Sequence, residues 1–406
     1  NIAISRVKKR KRKIIKGGET MDMELTKELK EKVITDLMAQ EIETPSWGYA
    51  SGGTRFFVYD DPTAARTLEE KIDDAAVVHK YTGVTPAVAL HIPWDLTDDW
   101  KGLKAYAHDR GVRIGAINPN LFQRNEYLHG SVTNYDPAIR QQAVEHLLEC
   151  VQIMRDTDSK ALSLWLADGT NYPGQSDFRR RRANLLDSLS QVYRELKGEE
   201  RILVEYKMFE PAFYHTDIGD WGMATLIAQA LGERAQTLVD LGHHALGTNI
   251  EQLVAWLLDL RMLGGFHFNS KKYADDDLTS GSVNPHELFL IFCELVKADR
   301  DPEITSNVLY MIDQAHFDKP KVDGMIQSVQ NIQSAYAKAL IVDYGALEEA
   351  QKNADIIAAE EILNAAYQAD VRPLLAEARE RKGIDPTPLE AYLKSADRKI
   401  RFARSK

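Results

Sequence analysis

Cysteine is scarce: Cys150 and Cys293 are the only two in 406 residues. Both fall inside helix-like stretches far apart in the chain. A disulfide framework is therefore excluded, and a reducing, cytoplasmic address is expected. No apolar run approaches the roughly 20 residues that a membrane-crossing helix requires, so no membrane partner is expected. No apolar stretch of about 7–15 residues follows the basic amino-terminal run, so a secretory signal is missing as well. Positive charge is short once its distribution is considered. Residues 1–20 hold eight basic side chains and one acidic one, which leaves 43 basic against 60 acidic in residues 21–406. A body that acidic repels phosphate backbones, and no nucleic-acid partner is expected. The basic run Lys8–Lys13, with Arg6 before it, admits a nuclear or nucleic-acid signal. The simpler reading of residues 1–23 is a leader, disordered or not native to the protein, ahead of a start at Met21 or Met23.

What is present is a folding chain, with 44% hydrophobic and 28% charged residues. Its length suits two average domains or one large α/β barrel with extensions. Leu25 to Ala39 reads as an amphipathic helix. Short apolar runs then alternate with longer helical stretches. The runs are Pro45–Gly53, Ala87–Trp94, Val112–Asn120, Lys160–Gly169, Arg201–Phe209, Ala235–His244, Gly264–Ser270 and Val308–Gln314. Most are near-continuously apolar, as parallel strands buried on both faces must be. Between them lie stripes of helical period, such as Leu185, Leu189, Val192, Tyr193 and Leu196, or Met325, Val329, Ile332, Tyr336 and Leu340. Asn249 is a good helix start, and Gly83, Gly111, Gly198 and Gly232 fall where helices should stop. Eight strands, each followed by a helix, close a (β/α)8 TIM barrel. The expected layout is an α/β barrel with its amino-terminal helix over residues 24–343 and a C-terminal α-helical extension over 344–406. That extension, rich in Ala, Glu and Leu, is expected to pack on a neighbouring subunit of a homo-oligomer.

In such a barrel the reactive residues sit at the C-terminal ends of the strands. Those ends carry Glu205 and, two residues on and on the same face, Lys207; then Asp240 with His243 and His244; His267 with the loop Asp275, Asp276, Asp277; and Asp313. Singly, each has a plain structural explanation: a salt-bridged strand carboxylate, a satisfied core histidine, a solvated acidic loop. Jointly they do not, because several carboxylates buried together cost too much unless cations neutralise them. Mixed carboxylate and imidazole donors suit Mn²⁺, Co²⁺, Mg²⁺ or Zn²⁺, and their number suffices for two ions. One set is Glu205, Asp240, His267 and Asp313. The other is His243, Asp275 and Asp277, with Asp240 bridging. A metal pair of this kind can polarise a carbonyl and its neighbouring hydroxyl.

These residues lie within the strings HIPWD, WLADGTNYPGQSDF, EYKMFEPAFY, LVDLGHHALGTNIE, GGFHFNSKKYADDD and MIDQAH. In order and spacing, from about residue 40 to near the C-terminus, they resemble the bacterial L-rhamnose isomerases of broad aldose specificity, a branch of the xylose isomerase-like barrels. The resemblance implies conversion of an aldose to its 2-ketose with divalent metal, commonly Mn²⁺, in a homotetramer. It places the structural metal on Glu205, Asp240, His267 and Asp313, and the catalytic metal on His243, Asp275 and Asp277. It also implies that His91 meets the sugar near its ring oxygen or O1, where ring opening needs a proton shuttle. Lys207 is implied to bond a substrate oxygen and stabilise a developing alkoxide. Trp47, Trp94 and Trp165 become walls of a sugar pocket, and Phe56, in GGTRFF, could reach a neighbouring subunit's site. The chain departs from the family at Ser270 and Lys271, where the pattern has Asp and Ser.

The resemblance thus implies hydrogen transfer between C1 and C2, by a metal-assisted hydride shift or through an enediol. L-rhamnose is the expected substrate, with L-mannose, L-lyxose or D-allose as side substrates. The alternatives are a ketose 3-epimerase on the same barrel, which would not need the second metal set, and a non-catalytic sugar-binding scaffold. A related phosphodiesterase would need a basic groove. The arginines Arg179–Arg182 could grip a phosphate, but the solvated face of a helix is the reading preferred.

Overall fold

The computed structural model describes residues 25–54, 56–209, 215–301, 304 and 307–404. The expected leader at 1–23 lies outside them. Eight parallel strands close a barrel in sequential order: β1 (Glu43–Pro45), β2 (Ala87–Ile92), β3 (Arg113–Pro119), β4 (Ala161–Trp165), β5 (Arg201–Glu205), β6 (Ala235–Asp240), β7 (Leu263–Phe268) and β8 (Leu309–Ile312). Helix α1 (Lys27–Ala39) precedes β1. After the successive strands come α2 (Leu68–Thr82), α3 (Trp100–Asp109), α4 (Pro137–Thr157), α5 (Phe178–Glu195), α6 (Trp221–Leu231), α7 (Ile250–Asp259), α8 (Pro285–Asp299) and α9 (Lys321–Leu340). Five helices complete the chain: α10 (Tyr344–Lys352), α11 (Ile356–Gln368), α12 (Arg372–Arg381), α13 (Pro388–Leu393) and α14 (Ala396–Phe402). No described helix is long and apolar enough to cross a membrane.

Local chemistry sets these boundaries. Thr67 caps α2 by accepting the Glu70 amide, and α2 stops at Gly83, whose φ of +70° is open to glycine at little cost. Asn249 caps α7 through the Gln252 amide, as its sequence position implies. The first strand corrects the sequence reading. Glu43–Pro45 forms it, one short segment upstream of the expected run, and Ser46–Tyr49 winds into a 3₁₀ turn. Close packing favours glycine at position 48, where a Cβ would lie 2.8 Å from the Gln314 carbonyl oxygen.

Most apolar side chains pack between barrel and helices, while a second, small cluster fills the barrel itself: Ala89, Ala116, Ala161, Leu203, Leu238 and Met311. The C-terminal extension is partly inside its own chain's core, with Ala366, Leu374, Leu375 and Tyr392 buried. Helix α12 lies against α1 and α9, and α13 against α2 and α9.

The arginine run on α5 divides. Arg179, Arg180 and Arg182 are exposed, as a solvated face requires. Arg181 is buried, pairs with Asp217 at 2.7 Å and donates to Thr133 Oγ1 at 2.7 Å and the His129 carbonyl at 3.1 Å. Truncating it strands a part-buried carboxylate without its cation. Arg181→Ala is expected to lower unfolding free energy by about 3 kcal/mol in urea titrations, whereas Arg180→Ala should change it by less than about 0.5 kcal/mol.

Candidate active site

The barrel interior has a period of two along each strand. Two residues beyond the apolar layer, every chain position carries a polar group: His91 after Ala89, Asn118 after Ala116, Ser163 after Ala161, Glu205 after Leu203, Asp240 after Leu238 and Asp313 after Met311. Strand register then brings the chemistry together. Asp240 pairs with His267, and His267 with Met311, which puts Asp313 one pleat higher.

The donor atoms of Glu205, Asp240, His267 and Asp313 all lie within 4.8 Å of one another, and so do those of Asp240, His243 and Asp275. Asp240 belongs to both groups. His267 Nδ1 stands 3.3 Å from Glu205, 3.4 Å from Asp313 and 3.7 Å from Asp240, yet it has no hydrogen-bond partner although buried. Asp275 Oδ1 is likewise buried without a hydrogen bond, 3.4 Å from His243 Nε2. His243 Nδ1 faces the Tyr206 carbonyl at 3.0 Å, which favours a proton there and leaves Nε2 directed toward Asp275 and Asp240. Asn269 Nδ2 donates to both Asp240 oxygens at 3.0 and 3.2 Å, orienting the shared carboxylate. A Cβ on Gly242 would come within 2.7 Å of Asp275 Oδ1, so any larger residue there would displace that carboxylate.

The electrostatics are strained toward excess negative charge. Burial alone would keep both imidazoles neutral, but Asp240 and Asp275 around His243, and Glu205 around His267, outweigh it and raise both well above the ordinary histidine value. Burial raises Asp277 well above the usual carboxylate range, and Asp275, Asp313 and Asp240 push it in the same direction. Buried ligand atoms without hydrogen-bond partners, convergent oxygens and imidazoles, and a carboxyl whose hold on a proton is strengthened by neighbouring negative charge all fit divalent cations. Glu205, Asp240, His267 and Asp313 would hold one, and Asp240, His243 and Asp275 a second. Asp277 lines the same cavity but is not in either convergent group, and its Oδ1 lies 3.5 Å from Asn269 Nδ2.

Above the cluster opens a cavity of about 690 Å³, lined among others by Trp47, His91, Trp94, Phe122, Trp165 and Lys207. Trp47 Nε1 donates to Asp313 Oδ1 at 2.8 Å, and Trp94 Nε1 to Gln123 Oε1 at 2.7 Å. His91 stacks on Trp94 with ring centroids 3.7 Å apart. Lys207 Nζ bonds Asp275 Oδ2 at 2.5 Å and lies 5.1 Å from the Trp165 ring centre. Phe56 is 87% exposed and does not line this chain's cavity, although Thr54 and Val58 of the same loop do. His244 turns away to Tyr206, 2.6 Å from its hydroxyl. Sequence reasoning missed Lys71, Asn118, Phe122 and Gln123. Asn118 carried a signal in its two-residue offset from Ala116; Lys71, on the outer helix α2, carried none.

Comparison with known proteins agrees with this architecture. A family described as the xylose isomerase-like TIM barrel matches residues 74–293. A Rhizobium meliloti (strain 1021) protein named as a probable sugar isomerase is 45% identical over 365 residues, 89% of this chain and 85% of its own. A Mesorhizobium japonicum protein of the same description is 45% identical over 356 residues, 86% of this chain and 83% of its own. Among solved structures, a D-allulose 3-epimerase from Methylomonas sp. in complex with D-allulose has a TM-score of 0.52 at 13% identity, covering 73% of this chain and 97% of that one. An L-ribulose 3-epimerase has a TM-score of 0.52 at 13% identity, covering 78% and 98%. At that identity the likeness is one of fold.

Burial, with help from the Lys71 charge, lowers the His91 pKa to about 3, so its ring is neutral at working pH. An unfolded chain protonates the same ring near pH 6.5, so the folded state loses stability as pH falls below that value. Between pH 7 and 5 the loss from this one group is about 2 kcal/mol. Urea titrations of EDTA-treated protein should therefore show a smaller drop over that interval for His91→Gln than for the parent, and an equal drop would contradict the neutral ring.

Proposed function

The chain belongs to the xylose isomerase-like TIM barrel family, and from that membership we propose that it interconverts an aldose and its 2-ketose, with L-rhamnose and L-rhamnulose as the favoured pair. The observation that carries the reading is the pair of donor groups sharing Asp240 at the floor of an aromatic-walled cavity. Bound there, divalent cations, with Mn²⁺ the favoured choice, would supply Lewis acidity to a carbonyl and its adjacent hydroxyl.

The protein's own groups do the rest. Trp47, Trp94 and Trp165 present flat apolar faces to the sugar's C–H surfaces, and the buttressing bonds to Asp313 and Gln123 hold two of those rings in place. His91, neutral and lining the cavity, would be the group that relays the ring-opening proton. Lys207 keeps a cation beside Asp275, where negative charge on a substrate oxygen would develop. The Asp240–His243–Asp275 group favours isomerisation over 3-epimerisation, because a one-cation site would not need it. The same reading includes a cytoplasmic setting, supported by two buried free thiols. It also includes assembly as a homotetramer, in which the exposed Ile356 and Ile357 on α11 would offer apolar surface to a neighbouring copy.

The test is ketose formation from L-rhamnose by EDTA-stripped protein, with and without Mn²⁺. Turnover should return only with the metal. Asp240→Asn should lose both ions by mass-spectrometric metal counting, and His243→Ala should keep one. Two ions bound by Asp240→Asn would remove the bridging role, and no turnover with both ions bound would discard the substrate and direct the assay to ketose 3-epimerisation.

A further inference from the structure

Helix α2 is gripped from both ends of its buried face. On one side stands Asp74, fully buried, which takes Arg401 Nε on Oδ1 at 2.7 Å and Arg404 on both oxygens at 2.7 and 2.8 Å. Both arginines come from the end of the C-terminal extension. The same segment docks again through Asp397, which accepts from Lys80 Nζ at 2.7 Å and Tyr81 Oη at 2.9 Å, and through Tyr392 packed edge-on against Tyr81. Arg404 also reaches the Thr63 carbonyl at 3.2 Å, behind the loop whose residues Thr54 and Val58 line the cavity.

One turn along α2 from Asp74, the buried Lys71 points toward the catalytic end of the barrel and bonds Asp95 Oδ1 at 2.5 Å. Asp95 is 1% exposed, and its second oxygen accepts the His91 amide at 2.8 Å and the Ser46 hydroxyl. The Asp95 amide in turn donates to the His91 carbonyl at 2.9 Å. One carboxylate thus closes the turn that carries His91 and Trp94 and ties it to the residue preceding Trp47. Without Lys71 that buried charge has only neutral donors, and a buried carboxylate short of a cation reorganises or takes up a proton.

We propose that the C-terminal extension is a positioning strap for the sugar pocket: Arg401 and Arg404 hold Asp74, α2 presents Lys71 to Asp95, and Asp95 holds His91, Trp94 and Trp47 in place. Lys71, Asp95, Arg401 and Arg404 are positioning residues, acting through the groups that meet the sugar. The functional half of this proposal rests on the isomerase reading above; the mechanical half does not.

The experiment uses full-length, Mn²⁺-loaded protein. Arg404→Ala leaves Arg401 on Asp74 and preserves the fold, whereas Lys71→Met removes the cation from Asp95 directly. In hydrogen exchange read by mass spectrometry, the segment spanning His91 and Asp95 should exchange about tenfold faster in either variant, with β5 to β7 unchanged. The double variant should add little, since both act on one element, and Arg404→Lys, which keeps the charge but not the two-oxygen grip, should fall between the parent and Arg404→Ala. On L-rhamnose, kcat should fall about three- to tenfold with KM and the count of bound Mn²⁺ unchanged. Unaltered exchange at His91 and Asp95 in a folded Arg404→Ala protein overturns the strap, even if Lys71→Met does not fold. Faster exchange with unaltered kcat overturns its positioning role. A parent enzyme inactive on L-rhamnose discards the substrate assignment and leaves the strap to be decided by exchange alone.

Discussion

Glu205, Asp240, Asp275, Asp277 and Asp313 occupy one end of the barrel with His243 and His267 between them, and their mutual repulsion is the constraint around which the site is organised. Carboxylates this close and this buried are tolerated only where positive charge is shared among them. The protein supplies Lys207 against Asp275 and leaves the remaining donors converging instead of paired. Burial makes the arrangement more demanding, because the low dielectric that strengthens each attraction also raises the cost of any oxygen left without a partner.

The closed sheet makes that convergence geometrically available. An apolar layer of Ala89, Ala116, Ala161, Leu203, Leu238 and Met311 plugs the barrel, and the next inward position on each of those strands is polar. The side chains cannot swing away, since each is one pleat above a packed residue and a one-residue slip would send it into the helical layer.

Support from behind the rim is polar and buried. Asp168 accepts from both the amide and hydroxyl of Ser131 and of Thr133, tying the end of β4 to the loop before α4. Arg181 joins the same loop to Asp217. Such networks define one arrangement because every member needs its partners. They also explain why the rim loops, which lack regular hydrogen-bond ladders, can still hold side chains for chemistry.

Much of this was legible in the chain itself. Strands buried on both faces must be apolar throughout, so seven of the eight were placed where the runs fell. The eighth, β1, was displaced: extended backbone ends at Pro45 and Ser46–Tyr49 winds into a 3₁₀ turn, with Gly48 packed closely on the Gln314 carbonyl, far away in sequence. The proposed metal donors were recognisable because strand ends in a barrel share one rim, and all seven line one cavity or contact residues that do. What the folded chain alone decided is which donors converge, that Asp277 stands beside the two groups and that Phe56 points to solvent. It also decided that Asp95 and Lys71 meet beneath His91. The reason is physical. Periodicity and strand ends are local properties of the chain, whereas a carboxylate finds its cation through contacts that exist only after the barrel has closed.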